Sequence, residues 1–424
     1  MPRPFDAAAL AETVADGASS AAFLRALFER RCTPFELDDD ALSRWLTLAS
    51  APDTVVLVAL HHGNFPSLEY LAEVLRGRGR PTAALYLQGD PPASTFDATL
   101  GCNGSLATLT DVIARLPARA IYLQAHGRWA FLSQLLATVH PGLRVVQEVW
   151  DWIDAYVDPA NEQPFVDAGL FAPDELTMIR AAERRVRCST AAFVQKHGGA
   201  VADALVADAC VPELRIYPAP PRAWMHPPVP RMPGPWRCVY AGQLKPSDTS
   251  RAAFGFLHYL PMIGALVEQS IAVTAYGGAG GIYEEYERAA QHMSGFTYHQ
   301  RIEVRALVEA LHGHQDFGLI LYDFDDELVV GRRHLQCSLA SKLFVYLAAG
   351  LPVLVSSELE YMAEFVEREG IGFAIAADEV PRLAARLDAC DYAALQANVA
   401  RAQRRFIAEH TCDDVLALLQ EVAP

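Results

Sequence analysis

Short apolar runs separated by helix-like stretches recur along most of this chain, and that alternation restricts the fold more than any other feature. The runs TVVLVAL (54–60), TAALYLQ (82–88), AIYLQAH (120–126), RVVQEVW (144–150), AAFVQKH (191–197) and LRIYPAP (214–220) are rich in Val, Leu, Ile and Ala and mostly lack polar alternation. Strands of that kind are buried on both faces, which requires helices above and below a parallel sheet. The pattern restarts with RCVYAGQL (237–244), IAVTAYGG (271–278), FTYH (296–299), FGLILYDF (317–324), LPVLVSS (351–357) and GFAIA (372–376). Between the two series lies PAPPRAWMHPPVPRMPGPW (218–236), the densest proline segment, whose fixed φ and missing N–H donors oppose both helix and central strand. The expected fold class is therefore α/β, with two Rossmann-like, doubly wound domains facing a cleft. The expected division is a helical extension over 1–50, a first Rossmann-like domain over 51–220, a linker over 221–236, a second such domain over 237–400 and a helical tail over 401–424. A linker of that composition should be open to protease.

A chain of 424 residues, 52% hydrophobic, can bury cores of this size. Its formal charge of −16 disfavours DNA or RNA as the main partner, since phosphate backbones are bound by clustered Lys and Arg. Eight cysteines are scattered without a C-x-x-C pair or a His-rich cluster at ligand spacing, which reads as reduced, mostly buried thiols in a cytoplasmic protein and no bound metal. The start, MPRPFDAAALAE, interrupts with Asp6 and Glu12 the apolar stretch a signal peptide needs, and no apolar run reaches the ~20 residues that span a bilayer. Any membrane contact is then expected to be peripheral.

The sharpest local signal is CSLASKLFVYLAAGLPVLVSSE (337–358): a polar turn, an amphipathic helix closed by Gly350 and Pro352, and a buried strand. Ser338 and Ser341 stand near the helix start, where unpaired N–H groups and the positive end of the helix dipole attract anions. Lys342 adds a cation that the dipole disfavours unless an anion is close. A diphosphate would satisfy that arrangement. SKLFVYLAAGLPVL resembles the (N/S)KLxEYLAAGxPV stretch of GT-B sugar transferases, and the upstream order VYAGQL, AYGG, LYDF agrees with it across roughly residues 237–380. The resemblance implies that the second domain holds a nucleotide sugar, with Gly242, Lys245, Gly277, Tyr322, Ser341 and Lys342 as donor-binding residues. Gly242 and Lys245 read equally well as a plain turn before a helix, and Arg332, Arg333 and His334 as either a phosphate-facing cluster or a solvated loop.

One departure bears on the chemistry. Where many such transferases carry a glutamate for the donor ribose, this chain has Val345, and Cys337 stands at the partner position of the retaining E-x7-E pattern. That type of site is not supported. Asp325 and Asp326 in DFDDE make an acidic loop compatible with loosely bound Mg²⁺, although no metal cofactor is expected.

Transfer to a hydroxyl needs a group to take the acceptor proton, and the resemblance places that group on loops of the first domain. HHGN (61–64) offers His61 or His62, AHGRW (125–129) offers His126 and Arg128, and EVWDWID (148–154) offers Glu148, Asp151 and Asp154. Asp151 is the first choice as base, with His126 and Glu148 beside it. Burial between Trp150 and Trp152 could raise its pKa, and an indole could stack on a sugar. Asp151 could equally cap a helix, and His126 could be a satisfied strand-end histidine. The function expected is transfer of a sugar, hexose being the expected class, from a nucleoside-diphosphate or monophosphate donor to a glycan, lipid-linked or protein acceptor, as in bacterial glycan biosynthesis. A nucleotide-sugar 2-epimerase or a non-catalytic partner subunit of the same fold are the alternatives.

Overall fold

The computed structural model describes residues 5–61, 67–89, 95–247, 255–277, 283–324 and 330–422. Within them the apolar runs form two parallel sheets. The first contains β1 (Val55–His61), β2 (Thr82–Gln88), β3 (Ala98–Gly101), β4 (Ala120–Gln124), β5 (Arg144–Val149), β6 (Ala192–Gln195) and β7 (Glu213–Arg215), in the order β3-β2-β1-β4-β5-β6-β7. The second contains β8 (Arg237–Gly242), β9 (Ala272–Gly277), β10 (Phe296–Gln300), β11 (Phe317–Ile320), β12 (Val353–Ser356) and β13 (Gly372–Ile375), in the order β10-β9-β8-β11-β12-β13. Each sheet is wound outward in both directions from its first strand, leaving a switch point between β1 and β4 and another between β8 and β11.

Burial follows the reading that produced the strands. The first six residues of β1 and of β2 are all buried, with apolar clusters on both faces of the sheet. β3 is the strand the pattern misses: ATLG is four residues long, ends in glycine and lies at the sheet edge against β2.

The N-terminal helices Ala18–Arg30 and Asp39–Ala49 are part of the first core, with Phe28 and Trp45 wholly buried. Trp45 Nε1 donates to the Ala84 carbonyl of β2 at 2.9 Å. At the other end of the chain, the helix Ala408–Val422 returns to the first half, where Cys412, Val415 and Leu418 share a cluster with Leu68, Leu71 and Leu75 of the helix Ser67–Gly77. The proline-rich segment is pinned to both halves over part of its length: Trp224 Nε1 donates to Glu73 at 2.8 Å, and the His226 amide to the Ala348 carbonyl at 2.8 Å. Full protease exposure of that segment, expected from composition, is therefore not what the contacts give; the open stretch is 232–235. The thiols also depart in part from expectation. Cys102, Cys238, Cys337 and Cys412 are buried, but Cys188 and Cys210 are exposed. Among the described residues no helix is long and apolar enough to cross a membrane.

Candidate functional site

The second sheet gathers five of the six expected donor residues around its switch point. Gly242 ends β8, Gly277 ends β9, Tyr322 follows β11, and Ser341 and Lys342 open the helix Ser341–Ala348 that leads to β12. This helix is amphipathic, with Leu343 to Ala348 buried, and Gly350 at φ +80° turns the chain into β12. A side chain at Gly350 would also collide with the backbone of His226 and Pro228, both 3.0 Å from the site of a Cβ. Tyr346 fixes the helix against the sheet: its hydroxyl accepts from the Ala241 amide at 2.8 Å and donates to the Leu319 carbonyl at 3.2 Å.

Lys342 Nζ donates to the Tyr322 hydroxyl at 2.7 Å and sits 4.3 Å from the centre of the Tyr240 ring. Tyr240 is fully buried and stacked on Tyr259 at 4.0 Å, and burial keeps both phenols far above their ordinary range, hence neutral. The ammonium thus rests on phenols and π faces, and no carboxylate lies within ion-pair distance of it among the described residues. The cap residue of this helix, Ala340, has no side chain to bond the first amides. Gly242 leaves room for the cation, since a Cβ there would stand 2.6 Å from Nζ, and Gly277 admits Leu244 in the same way. Lys245 lies on the loop after β8, with its amide on the Leu257 carbonyl and its own carbonyl accepting from Tyr286. Half-exposed positive charge, uncapped amides and glycine-lined strand ends meet here, and each of these features attracts anions or leaves them room.

Val345, at the position of the ribose glutamate, is 6% exposed and joins the apolar cluster of Phe344 and Leu347. Asp325 and Asp326 lie outside the described residues, as do His62, Gly63 and Asn64.

Across from this site, the carboxyl ends of β1, β4, β5 and β6 carry His61, His126, Asp151 and the pair Lys196–His197. His126 is half-buried and its pKa is pushed down to about 4, mainly by burial, with Asp151 partly opposing, so it is neutral near pH 7. Asp151 behaves otherwise than the sequence suggested. Burial alone would raise it, but Lys196, a hydrogen-bonding His197 and His334 outweigh burial and hold the carboxyl well below the usual carboxylate range. Lys196 Nζ is 3.6 Å from Asp151 Oδ1, His197 Nε2 3.5 Å and His334 Nδ1 3.9 Å. The indoles offer no platform to a sugar either: Trp150 and Trp152 are 4% and 1% exposed, Lys196 covers the Trp150 ring at 4.5 Å, and Trp152 Nε1 is spent on Gln195. Nor does Asp151 cap the short helix that follows, whose Ile153 amide is taken by Glu183.

Glu148 is withdrawn from the cleft. It is 2% exposed and accepts from Ser67 Oγ at 2.9 Å and Gln124 Nε2 at 3.0 Å, which places it inside the sheet–helix layer rather than beside an acceptor hydroxyl. Asp154 is engaged by Arg180 at 2.8 Å. Arg332 and Arg333 are exposed, whereas His334, from the same segment of the second half, turns toward Asp151 of the first. Lys196, His197 and His334 are the residues the sequence reading did not assign to Asp151. No spacing ties positions 151, 196–197 and 334 together, and only the cleft does.

Comparison with known proteins agrees with the fold. Residues 261–416 match the model of the glucosyltransferase 3-like C-terminal domain. No curated protein matches the chain in sequence. Among solved structures, a glycosyltransferase from Rickettsia africae is similar at a TM-score of 0.56 and 10% identity, over 88% of this chain and 99% of that one. The apo structure of OtsA is similar at 0.55 and 12%, over 88% and 100%, and AviGT4, a glycosyltransferase involved in avilamycin A biosynthesis, at 0.52 and 12%, over 88% and 98%. At such identities the likeness speaks for the fold. The chain thus has the GT-B fold, and residues 261–416 are similar to the glucosyltransferase 3-like C-terminal domain.

Proposed function

We propose that this protein binds a nucleoside-diphosphate sugar at the Gly242–Tyr322–Lys342 site and transfers its hexose to an acceptor hydroxyl held in the cleft by the first half. The observation that carries this reading is Lys342, a cation at an uncapped helix start that rests on Tyr322 and Tyr240, in the segment that matches the glucosyltransferase 3-like domain. When the sugar leaves, negative charge grows on the diphosphate, and a preorganised ammonium and amides stabilise it. His126 is assigned the acceptor proton, because it is neutral and half-buried at a strand end whereas Asp151 Oδ1 is enclosed by Lys196, His197 and His334. Asp151 partly restores the basicity that burial removes from His126. In this reading the protein works in the cytoplasm on a glycan, lipid-linked or protein acceptor, with peripheral membrane contact where the acceptor is lipid-linked and bacterial surface glycan as the product class.

Val345 favours one second reading, a binding subunit without turnover, since ribose loses its usual carboxylate partner. Incubation with a panel of nucleotide sugars and acceptor fractions separates the two: transfer releases nucleoside diphosphate, a binding subunit retains the donor intact, and failure to bind any donor refutes both.

A further inference from the structure

Three groups from separate parts of the chain converge where the halves meet. Asp151 follows β5, His197 follows β6, and His334 comes from the helix Arg332–Cys337 of the second half. One ligand atom of each lies within 4.8 Å of the others. The separations from Asp151 Oδ1, 3.5 Å to His197 Nε2 and 3.9 Å to His334 Nδ1, approach the roughly 3.3 Å between ligand atoms that bonds of about 2.0–2.1 Å around a tetrahedral ion impose.

Buried polar atoms are ordinarily hydrogen-bonded. Here Asp151 Oδ1, His334 Nδ1 and both ring nitrogens of His197 are buried with no well-formed hydrogen bond, and the His197 side chain is 0% exposed. Atoms of both rings and the carboxylate face one small volume, joined by contacts of 3.5 and 3.9 Å that are longer than a well-formed hydrogen bond.

We infer that Asp151, His197 and His334 form a site for a divalent transition-metal ion of the zinc class, shared between the two halves of the molecule. Two imidazoles and a carboxylate are a borderline ligand set suited to Zn²⁺ or Co²⁺ rather than to Mg²⁺ or Ca²⁺, which prefer oxygen. Burial lowers both imidazoles, His334 to about 4, so each presents a lone pair at neutral pH. Asp151, about a third exposed, leaves a coordination position open toward solvent.

Lys196 is the competing cation. Its Nζ stands 3.6 Å from Asp151 Oδ1 and balances that carboxylate when no metal is bound. Metal entry displaces the ammonium, so Lys196 sets the affinity and its removal strengthens binding. Because the ion would tie His334 of one half to Asp151 and His197 of the other, it would also stabilise the contact between them. The inference stands apart from sugar transfer.

The test uses the full chain stripped with chelator and titrated with Zn²⁺ by calorimetry and with Co²⁺ by visible absorption. Expected are one ion per chain, a Co²⁺ spectrum of low coordination number, and affinity weakened at least ~10-fold in His334→Gln and in His197→Gln. Lys196→Gln should bind more tightly than wild type. His334 is 20% exposed, so its variant should stay folded, and metal-free melting curves check this. Absence of one-to-one binding, or a His334→Gln variant that binds as tightly as wild type, overturns the inference. Weaker binding in Lys196→Gln also contradicts it, since the lysine would then be assisting the ion.

Discussion

Replacing Lys342 with alanine should weaken a nucleoside diphosphate about 10- to 100-fold, the equivalent of about 1.5–3 kcal/mol for one charge-assisted hydrogen bond to phosphate. The cost to folding should be modest beside that loss. Lys342 gives the apo protein a hydrogen bond to Tyr322 and a cation–π contact with Tyr240, the latter about 0.5–1 kcal/mol, against a dipole penalty of about 0.3–1 kcal/mol for a cation in the first helical turn. With the hydrogen bond at about 0.5–1.5 kcal/mol, the net loss is about 1–2 kcal/mol, so the unliganded variant should melt a few degrees below wild type and remain folded. Lys342→Met keeps most of the apolar stem over Tyr240 and should lose the same affinity, which separates charge from packing. Gly242→Ala should have a related effect, since its Cβ would come within 2.6 Å of Nζ and push the ammonium away. Calorimetric titration of UDP, GDP, ADP and dTDP, with each matching nucleoside as control, reads the result. Loss on the diphosphate with little change on the nucleoside is expected. A Lys342→Ala variant that binds diphosphate as tightly as wild type would refute the assignment of this helix start as the phosphate site.

His126→Ala should lower turnover by ~10²-fold or more with donor affinity kept, the scale for removing a positioned base, whereas unchanged turnover in a kinetic assay would move the role to His61 or His62. Tyr346→Phe removes the hydroxyl shared by the Ala241 amide and the Leu319 carbonyl, and denaturant unfolding should show a loss of about 1–3 kcal/mol for the buried amide left unpaired. For His334 the sign is fixed by its lowered pKa: between the ordinary value of 6.5 and about 4 the unfolded chain binds the proton and the folded chain does not, so this group erodes stability as pH falls through that window. Unfolding midpoints at pH 7.5 and 5 should accordingly diverge less in His334→Gln than in wild type, and an equal or larger divergence would contradict the burial of a neutral imidazole there.

Much of the architecture was legible because buried parallel strands leave continuous apolar runs, and twelve of them read from the chain correspond to strands of the two sheets. β3 was not, because four residues at a sheet edge need little apolar content. The donor half of the site was legible for a local reason: Ser341, Lys342 and Gly350 sit within one helix–strand unit, where capping and dipole arguments apply. The opposite half was not. Asp151 looked like a carboxylate raised by flanking indoles, but its electrostatics come from Lys196, His197 and His334, and which charges a fold brings to a carboxylate is set by tertiary contacts that sequence distance hides. Glu148 likewise read as a cleft residue because it ends an apolar strand, while alternation along β5 turns it onto Ser67 and Gln124.

The most direct measurement is nucleoside diphosphate released from a panel of nucleotide sugars, with and without glycan, lipid-linked and protein acceptor fractions. The account predicts that one donor class is consumed in an acceptor-dependent manner, with the label of the sugar appearing in the acceptor and release abolished by the combined Lys342→Ala and His126→Ala changes. A wild-type protein that binds none of the donors, or that releases diphosphate equally well in the combined variant, would contradict it.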